Sequence, residues 1–341
     1  MKLYGGIDLH SNNSVVAITD ERDEVLYRKR LPNDLSTILS VLEPYREALD
    51  GLVVESTYNW YWLVDGLMDA GYRMHLANTA AIKQYEGLKY SDDDTDACWL
   101  AKLLRLGLLP EGYIYPKAQR PIRDLLRKRS QLVRQHTANL LSVQNLMARN
   151  RGASISANAV KRLDFDQVGR LLENEPLVLA AAGTLVVMRS QQEMIALVEK
   201  VARRHVKHSP AYGAFKRLCT VNGIGEVLGL TILLETGDIG RFERVGNYVS
   251  YCRCVDSKRI SNGKKKGKGN RKNGNKYLAW AFVEAANFAV RFEPRIRRYY
   301  QRKRARSNAI VAIKTVAHKL ARACYFILRD GKSFDVERAF G

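Results

Sequence analysis

Four aspartates fall close together where an apolar helical pattern begins, in the stretch SDDDTDACWL: Asp92, Asp93, Asp94 and Asp96. Two further acids end predicted strands, Asp8 in KLYGGIDL and Glu55 after the apolar run LVV. Like charges at short range raise each other's pKa, and a divalent cation offsets that cost. Carboxylate oxygens suit Mg2+ or Mn2+, which stabilise the attacking and leaving oxygens of phosphoryl transfer. A metal site for phosphodiester chemistry is therefore predicted from four acids: Asp8, Glu55, Asp93 and Asp96.

Each of these acids also has a simpler interpretation. Aspartates at the start of a helix can stabilise the helix dipole, by about 0.3 to 1 kcal/mol each. Asp8 can be an ordinary turn acid before SNN. Glu55 is harder to explain in this way, because a carboxylate that ends a buried strand needs a partner. The ordered set of all four acids favours the metal site.

The elements that must position these acids form an α/β pattern. The opening KLYGGIDLHSNNSVVAITDERDEVLYRKRLP alternates like an antiparallel meander of two or three strands. A helix, the buried strand GLVVEST, a helix that ends at Gly71 and the strand YRMHLAN follow. This order predicts a ribonuclease-H-like sheet, in which the first and fourth strands are neighbours. Asp8 and Glu55 should then lie side by side, and the spacing of three places Asp93 and Asp96 on one helix face.

The rest of the chain is predicted to be helical. The pattern from about residue 116 to 208 is long and polar, with apolar residues three and four apart, which indicates an extended helical hairpin or coiled coil. A second compact unit follows. We therefore predict an α/β domain at 1–115, a helical coiled-coil region at 116–208 and an all-α domain at 209–341.

Charge is distributed unevenly along the 341 residues, whose formal net charge is +21. Residues 1–100 hold 9 Lys and Arg against 17 Asp and Glu, whereas residues 251–306 hold 18 against 3. Such clustering is typical of a nucleic-acid-binding protein, because each phosphate contact releases counterions. A solvated lysine-rich surface or a patch for anionic membranes would be the alternative.

Composition also bounds the class of protein. No secretory signal pattern and no apolar run long enough to span a bilayer is visible, so we expect a soluble protein of the cytoplasm with no membrane partner. The five cysteines have no zinc-site spacing and are predicted to be reduced, structural and mostly buried.

Two segments of the C-terminal part could bind a phosphate backbone. VNGIGEVLGLTIL fits the turn and second helix of a helix-hairpin-helix, where Gly223 and Gly225 would admit a phosphate, although an ordinary glycine turn is an equal alternative. The second segment, SKRISNGKKKGKGNRKNGNKYLAW, is interpreted as a flexible loop. Its candidate nucleic-acid-binding cations are Lys258, Arg259, Lys264, Lys265, Lys266, Lys268, Arg271 and Lys272.

A serine in this basic segment could be a nucleophile. The hydroxyl of Ser261 or Ser257 could attack a phosphodiester if a metal or cation stabilised the developing charge. A serine that only makes local hydrogen bonds is the usual case.

Together, five motifs resemble the DEDD transposases of the IS110 insertion-sequence family: GIDLH, VVEST, DDTDA, VNGIGE and SNGKKKGKGNRKNGNKYL. That family is related to the Piv DNA invertases and comprises bridge-RNA-guided recombinases. The resemblance covers essentially the whole chain. It implies a RuvC-like N-terminal domain with four Mg2+-binding acids, a coiled coil, and a C-terminal transposase domain with a nucleophilic serine.

Carried over by motif, the four acids match Asp8, Glu55, Asp93 and Asp96, and the serine matches Ser261. The family often has Lys-Thr before the third acid, where this chain has Ser91-Asp92, so Asp92 competes as a ligand. It often has Ser-Gly at the nucleophile, where this chain has Ser261-Asn262, so Ser257 remains a contender. The resemblance further implies a structured bridge RNA, donor and target DNA, a homodimer or homotetramer, and action on the nucleoid of a bacterium or archaeon.

Three rival classes account for parts of the sequence. Actin-like sugar kinases need glycine in the phosphate-binding loop that follows the first aspartate, and LHSNNS contains no glycine. A metal-dependent Holliday-junction nuclease would share the four acids but leave free hydroxyl ends. A non-catalytic nucleic-acid-binding protein would explain the basic segment and leave the acids without a role.

Overall fold

The computed structural model describes residues 1–82, 93–255, 258–268 and 273–341, with only the backbone described at 93–94, 258–261, 265, 267 and 268. The chain divides into two compact units. The first comprises Met1–Lys117 together with Ser257–Asn273, and the second comprises Ala118–Asp256 and Gly274–Gly341. The three-domain division made from the sequence stays a prediction.

A five-stranded mixed sheet forms the centre of the first unit. Its strands are β1 (Leu3–Leu9), β2 (Asn13–Thr19), β3 (Val25–Pro32), β4 (Leu49–Glu55) and β5 (Met74–Ala77), in the order β3-β2-β1-β4-β5. The first three strands form an antiparallel meander, while β4 is parallel to both β1 and β5. The predicted meander and the pairing of the first strand with the fourth are both confirmed. β3 is the exposed edge strand, and its run of Arg28, Lys29 and Arg30 is typical of edges protected from further pairing.

Helices cover both faces of this sheet. They are α1 (Leu35–Leu42), α2 (Tyr61–Asp69) and α3 (Asp93–Arg105). Ile38 of α1 and Leu63 of α2 pack with Ile7, Val16 and other residues of one strand face. α3 covers the opposite face, where Ala97 packs with Val15 and Ala17, and Leu100 packs with Val53. Because side chains alternate along a strand, Asp8 and Glu55 lie on the face that α3 covers.

A long helical hairpin begins the second unit. Its elements are α4 (Arg120–Arg151), α5 (Ala157–Arg162), α6 (Phe165–Leu171) and α7 (Glu175–Lys207). α4 and α7 run antiparallel, as contacts between Arg129 and Glu199 and between Asn139 and Gln191 show. The short helices α5 and α6 pack against α4 and α7 with their own apolar cluster. The extended helical hairpin predicted from the spacing is confirmed.

Seven further helices complete the second unit: α8 (Tyr212–Leu218), α9 (Glu226–Thr236), α10 (Val245–Tyr251), α11 (Lys276–Phe292), α12 (Pro294–Ala305), α13 (Ala309–Asp330) and α14 (Val336–Phe340). Their shared core includes Ile122 of α4 and Val206 of α7, so the base of the helical hairpin belongs to this core. Cys252 and Cys324 are buried, whereas the other three cysteines are half-buried. The expectation that most cysteines are buried is therefore wrong.

The basic segment contains a β-hairpin where the sequence analysis expected a flexible loop. β6 (Lys258–Ser261) pairs antiparallel with β7 (Lys264–Lys268). Asn262 and Gly263 join them with φ values of 51° and 68°, which both central residues of a type I′ turn require. The loop prediction was wrong because it was based on the glycine and lysine content of the segment, whereas the Asn-Gly pair is a specific signal for a hairpin turn.

A helix that crosses a bilayer must be both long and apolar. None of the described helices meets both requirements.

Candidate active site

Two of the four predicted acids end neighbouring strands. Ile7 of β1 is paired with Val54 of β4, so the next residues, Asp8 and Glu55, lie side by side. Asp8 is only 4% exposed, and Glu55 is half-buried. Strand order and register, both readable in part from the sequence, bring these carboxyl groups together.

The carboxyl groups of Asp8 and Glu55 are hydrogen-bonded to each other. Burial, the hydrogen bond with Asp8 and the negative charges of Asp8 and Asp96 together raise the pKa of Glu55 to about 7, against a lowering effect of His10. With this pKa, Glu55 is protonated below about pH 7, which permits a hydrogen bond between the two carboxyl groups. A third carboxylate that acts on Glu55 electrostatically, Asp96, therefore belongs to the same cluster.

Asp96 reaches the cluster because α3 packs directly on the sheet. A Cβ atom at Gly6 would overlap the carbonyl oxygen of Ala97 and would lie 2.9 Å from the amide nitrogen of Ala101. Only glycine permits this approach of strand and helix backbones. Ala97 is fully buried against β2, which fixes the rotation of the first turns of α3 and with it the position of Asp96.

His10 is a member of the cluster that the sequence analysis did not select. Its Nε2 lies 3.3 Å from Oδ2 of Asp8. The turn that carries it is fixed, because the side-chain amides of Asn33 and Asn59 both donate to the carbonyl oxygen of His10 at 3.0 and 2.8 Å. The histidine in GIDLH, two residues after the first acid, was the available signal. His10 is therefore placed to orient the Asp8 carboxylate.

The remaining predicted residues are only partly described. Asp93 is the first residue of α3, and its side chain lies outside the described part of the structure. Asp92, Ser257, Arg271 and Lys272 also lie outside it. Ser261 ends β6 opposite Lys264, with its side chain undescribed. Among the described side chains, no three His, Cys, Asp or Glu residues are close enough to hold one metal ion.

The donor set nevertheless suits a hard divalent cation. Asp8, Glu55 and Asp96 offer carboxylate oxygens and no soft ligand, which is the chemistry that Mg2+ and Mn2+ prefer. Protonation of Glu55 below about pH 7 reduces the repulsion among these carboxylates, and a bound cation would have the same effect. Their described side chains do not by themselves enclose an ion, so Asp93, whose side chain lies outside the described part, stays the predicted fourth ligand.

Two family models of transposases match this chain, and together they cover most of its length. A family model described as DEDD_Tnp_IS110, a transposase, matches residues 5–149. A second, described as the transposase IS116/IS110/IS902 family, matches residues 215–301. The chain belongs to the IS110 family of DEDD transposases. The match at 5–149 contains all four acids, and the match at 215–301 contains the glycine turn and the β-hairpin.

Two relatives of the transposase carry consistent names. One from Pseudomonas aeruginosa, named "Probable family 20 transposase", is 23% identical over 298 residues, which is 84% of this chain and 83% of the relative. Another from Sinorhizobium fredii, named as the transposase y4qE, is 25% identical over 250 residues, which is 70% of this chain and 57% of the relative. The chain is a DNA transposase.

The two candidate phosphate-binding glycines have different surroundings. Gly223 has a φ of +88°, and a Cβ there would overlap the carbonyl oxygen of Ala285 on α11. Packing alone therefore requires glycine at this position. Gly225 caps the N-terminus of α9, and no atom lies within 4 Å of a Cβ built on it. Of the two, Gly225 has the open space that a phosphate would need.

The ends of the segment that carries the transposase's β-hairpin are clamped together in the second unit. The backbone N–H of Asn275 donates to the carbonyl oxygen of Tyr251 at 2.6 Å. The Arg253 guanidinium donates to the carbonyl oxygen of Gly274 at 3.1 and 2.9 Å. Arg253 has a φ of +54°, an uncommon conformation for a side chain of this size. The chain therefore leaves and re-enters the helical core at a single fixed point.

A buried ion pair supports this clamp. Glu235 is 3% exposed and accepts from Arg127 Nη2 and from Asn275 Nδ2, each at 2.7 Å. Asn275 also caps α11 by accepting from the backbone of Tyr277 and Leu278. Burial lowers the pKa of Arg127, but the hydrogen bond with Glu235 and the nearby negative charges together outweigh burial and raise the pKa. The sequence analysis selected none of these three residues, because their partners are far apart along the chain.

Proposed function

We propose that this transposase cuts and rejoins DNA strands with a divalent cation, Mg2+ or Mn2+, bound by Asp8, Glu55, Asp93 and Asp96. The observation that carries the proposal is the convergence of Asp8, Glu55 and Asp96 on one protonated cluster at the end of β1 and β4. A bound cation would stabilise the charge that develops on the phosphodiester. His10, beside Asp8, would hold the first carboxylate in place.

We further propose Ser261 as the nucleophile. Its Oγ would form a bond to phosphorus as the bond from phosphorus to the departing sugar oxygen breaks, and the hydroxyl proton would pass to that oxygen. The serine phosphodiester conserves the energy of the original bond, so the reverse attack by a sugar hydroxyl rejoins strands without ATP. Two features support the assignment: Ser261 lies beside an exposed basic turn, and its segment groups with the acid-bearing sheet in one compact unit.

The partners follow from the family resemblance. We propose that the transposase binds donor and target DNA through the cations of the β-hairpin and, by resemblance, a structured bridge RNA. A homodimer or homotetramer would carry out the exchange. Lys264 and Lys266 are exposed in β7, as a phosphate contact requires.

The metal site is tested by Asp96→Asn and by Asp69→Asn as the matched control, since Asp69 is exposed on α2 of the same unit. We expect Asp96→Asn to lose Mn2+ binding in calorimetry and strand cleavage in a gel assay, while nucleic-acid binding persists. The control should keep all three. Normal cleavage by Asp96→Asn would contradict the metal site and favour a helix-capping role.

The nucleophile is tested by trapping the reaction on a nicked suicide DNA substrate and mapping the linked peptide. Ser261→Ala should bind metal and DNA but form no adduct. An adduct that persists in Ser261→Ala and vanishes in Ser257→Ala would move the assignment to Ser257. Cleavage with free hydroxyl ends and no adduct in the wild type would favour a metal-dependent nuclease.

A further inference from the structure

A cavity in the second unit is lined by an excess of positive charge. It has a volume of about 810 Å³ and lies between α12, α13 and the segment that leads into α14. That volume is within the range of about 300 to 1,000 Å³ typical of ligand sites. Two acids line it, Asp330 and Asp335, against five cations: Lys319, Arg322, Arg329, Lys332 and Arg338.

Both acids are already engaged by the protein. Asp330 forms an ion pair with Arg329, whose Nε lies 2.6 Å from its Oδ1. Asp335 caps α14 by accepting from the backbone N–H groups of Glu337 and Arg338 at 2.9 and 3.1 Å. Asp330 also interacts electrostatically with Lys332 and Arg338. Even so, two acids face five Lys and Arg side chains, so the lining keeps an excess of three positive charges.

The cations around Lys319 repel one another. Within the described part of the chain, no carboxylate forms an ion pair with Arg322, Lys332 or Arg338. Lys319 is half-buried, and its Nζ donates to the carbonyl oxygen of Ala339 at 2.6 Å. Burial lowers the pKa of Lys319, and the nearby charge of Arg322 lowers it further. An anion in the cavity would relieve this repulsion.

The cavity also offers a flat surface. Phe326 is 37% exposed, and the Arg329 guanidinium lies 5.0 Å from the centre of its ring. Phenylalanine and arginine planes of this kind are the surfaces on which unpaired bases stack. Ser333 adds a hydroxyl group to the lining. Phosphate and base recognition are thus possible within the same cavity.

A polymer fits this region better than a free phosphate compound. α12, which forms one wall, carries six cations and no acid along its sequence PRIRRYYQRKRA. The last turn of this helix is near the cavity, because Arg302 and Lys303 act electrostatically on Lys319. A strand that left the cavity would therefore continue along a basic helix.

We propose that this cavity binds one nucleotide of a single-stranded nucleic acid, with the phosphate against Arg322 and Lys332 and the base against Phe326. The inference rests on the proposed function insofar as a nucleic-acid strand is the ligand. It adds a binding site outside the acid cluster, the glycine turn and the β-hairpin.

Binding is measured by fluorescence anisotropy with a short labelled single strand, as DNA and as RNA, in EDTA so that no cleavage occurs. We compare the double variant Arg322→Gln/Lys332→Gln with Lys161→Gln/Arg162→Gln, which removes two exposed cations from α5. The cavity variant should bind about tenfold more weakly, and its slope of log K against log salt should flatten by about 0.7 for each phosphate that is no longer neutralised. Both variants change exposed residues, so their thermal unfolding should match the wild type.

Occupancy is measured by cross-linking a strand that contains 5-iodouracil and mapping the modified peptide. An adduct on Phe326 that is lost in Arg322→Gln/Lys332→Gln supports the proposal. Equal binding by the cavity and control variants, with no adduct on Phe326, would overturn it. The proposal would also be overturned if Arg322→Gln/Lys332→Gln weakened the binding of inorganic phosphate or ATP and left the binding of the single strand unchanged. That result would identify a small phosphate compound as the ligand.

A second variant, Arg338→Gln, guards against a folding defect in the first, and it should weaken binding in the same direction. The binding and cross-linking assays contain no metal ion, so they can contradict the cavity proposal while Asp96-dependent cleavage is still observed. The reverse outcome would leave strand binding in the cavity intact and reject only the metal site.

Discussion

Buried carboxylates occur in two regions of this transposase and are neutralised in different ways. At the end of β1 and β4, Glu55 lies beside the like charges of Asp8 and Asp96 and keeps a proton to about pH 7. In the helical core, Glu235 is matched by Arg127 and Asn275, which supply donors to both of its oxygens. The first arrangement destabilises the fold until a cation or proton enters, whereas the second stabilises it without help. Unmatched negative charge therefore distinguishes the acid cluster from the helical core, where the buried charge is matched.

The largest expected effect comes from breaking the matched pair. Glu235→Gln should lower the free energy of unfolding by about 3 kcal/mol, because the half-buried Arg127 loses its hydrogen-bonded carboxylate in the core. Glutamine also presents one donor group where both Arg127 and Asn275 need acceptors. Chemical denaturation measures the change.

Glu226→Gln is the control for this substitution, since the Glu226–Arg203 pair is half-exposed on the surface and should contribute less than about 1 kcal/mol. Equal effects at positions 235 and 226 would show that the buried network carries no special weight.

The second effect concerns the approach of α3 to the sheet. Gly6→Ala should destabilise the fold by about 1 to 3 kcal/mol, because the new methyl group meets backbone atoms of Ala97 and Ala101 that cannot rotate away. The shift of α3 would also move Asp96, so strand cleavage should fall more than nucleic-acid binding.

Gly183→Ala is the matched control on α7, where no atom lies within 4 Å of the added Cβ. It should stabilise the fold by about 0.5 to 1 kcal/mol. A Gly6→Ala variant with wild-type stability and cleavage would refute the close-packing argument.

The third effect concerns Glu55, whose negative charge is expected to destabilise the metal-free fold, whereas that of Glu235 stabilises it. The folded-state pKa of Glu55 is about 7, above its ordinary value of 4.5, so the folded state alone binds the proton between those values. The metal-free wild type should therefore lose about 2 kcal/mol of stability as the pH rises from 4.5 to 7, after allowance for partial exposure.

Glu55→Gln should remove this pH dependence and stabilise the metal-free protein above pH 7. Thermal unfolding in EDTA across pH 4.5 to 8 measures it. A Glu55→Gln profile with the same slope as the wild type would assign the titration to another group.

The smallest effect on stability is expected at the exposed charges of the β-hairpin. Lys264→Gln/Lys266→Gln should change the free energy of unfolding by less than about 0.5 kcal/mol, because both side chains are exposed. On duplex DNA the same variant should flatten the salt slope by up to about 0.9 for each phosphate that the hairpin no longer neutralises. An unchanged slope would place the DNA path elsewhere.

The sequence predicted much of the first unit because its signals are local. Alternation identified the strands, the apolar run before Glu55 indicated a buried strand, and the Asp-rich start of α3 was visible in the charge pattern. The β-hairpin was misread, although Asn262-Gly263 carried a local turn signal. The type I′ turn depends on two positive φ values, a property of residue pairs that composition does not report.

By itself, the sequence determined which elements form and which acids end them, since both follow from the period of side chains along strands and helices. Only the tertiary structure decided that Asp96 joins Asp8 and Glu55, because this depends on the backbone contact between Gly6 and Ala97. It also decided that Arg127, Glu235 and Asn275 form one network across 148 residues of chain. Contacts of this range depend on how helices pack, and no local pattern specifies them.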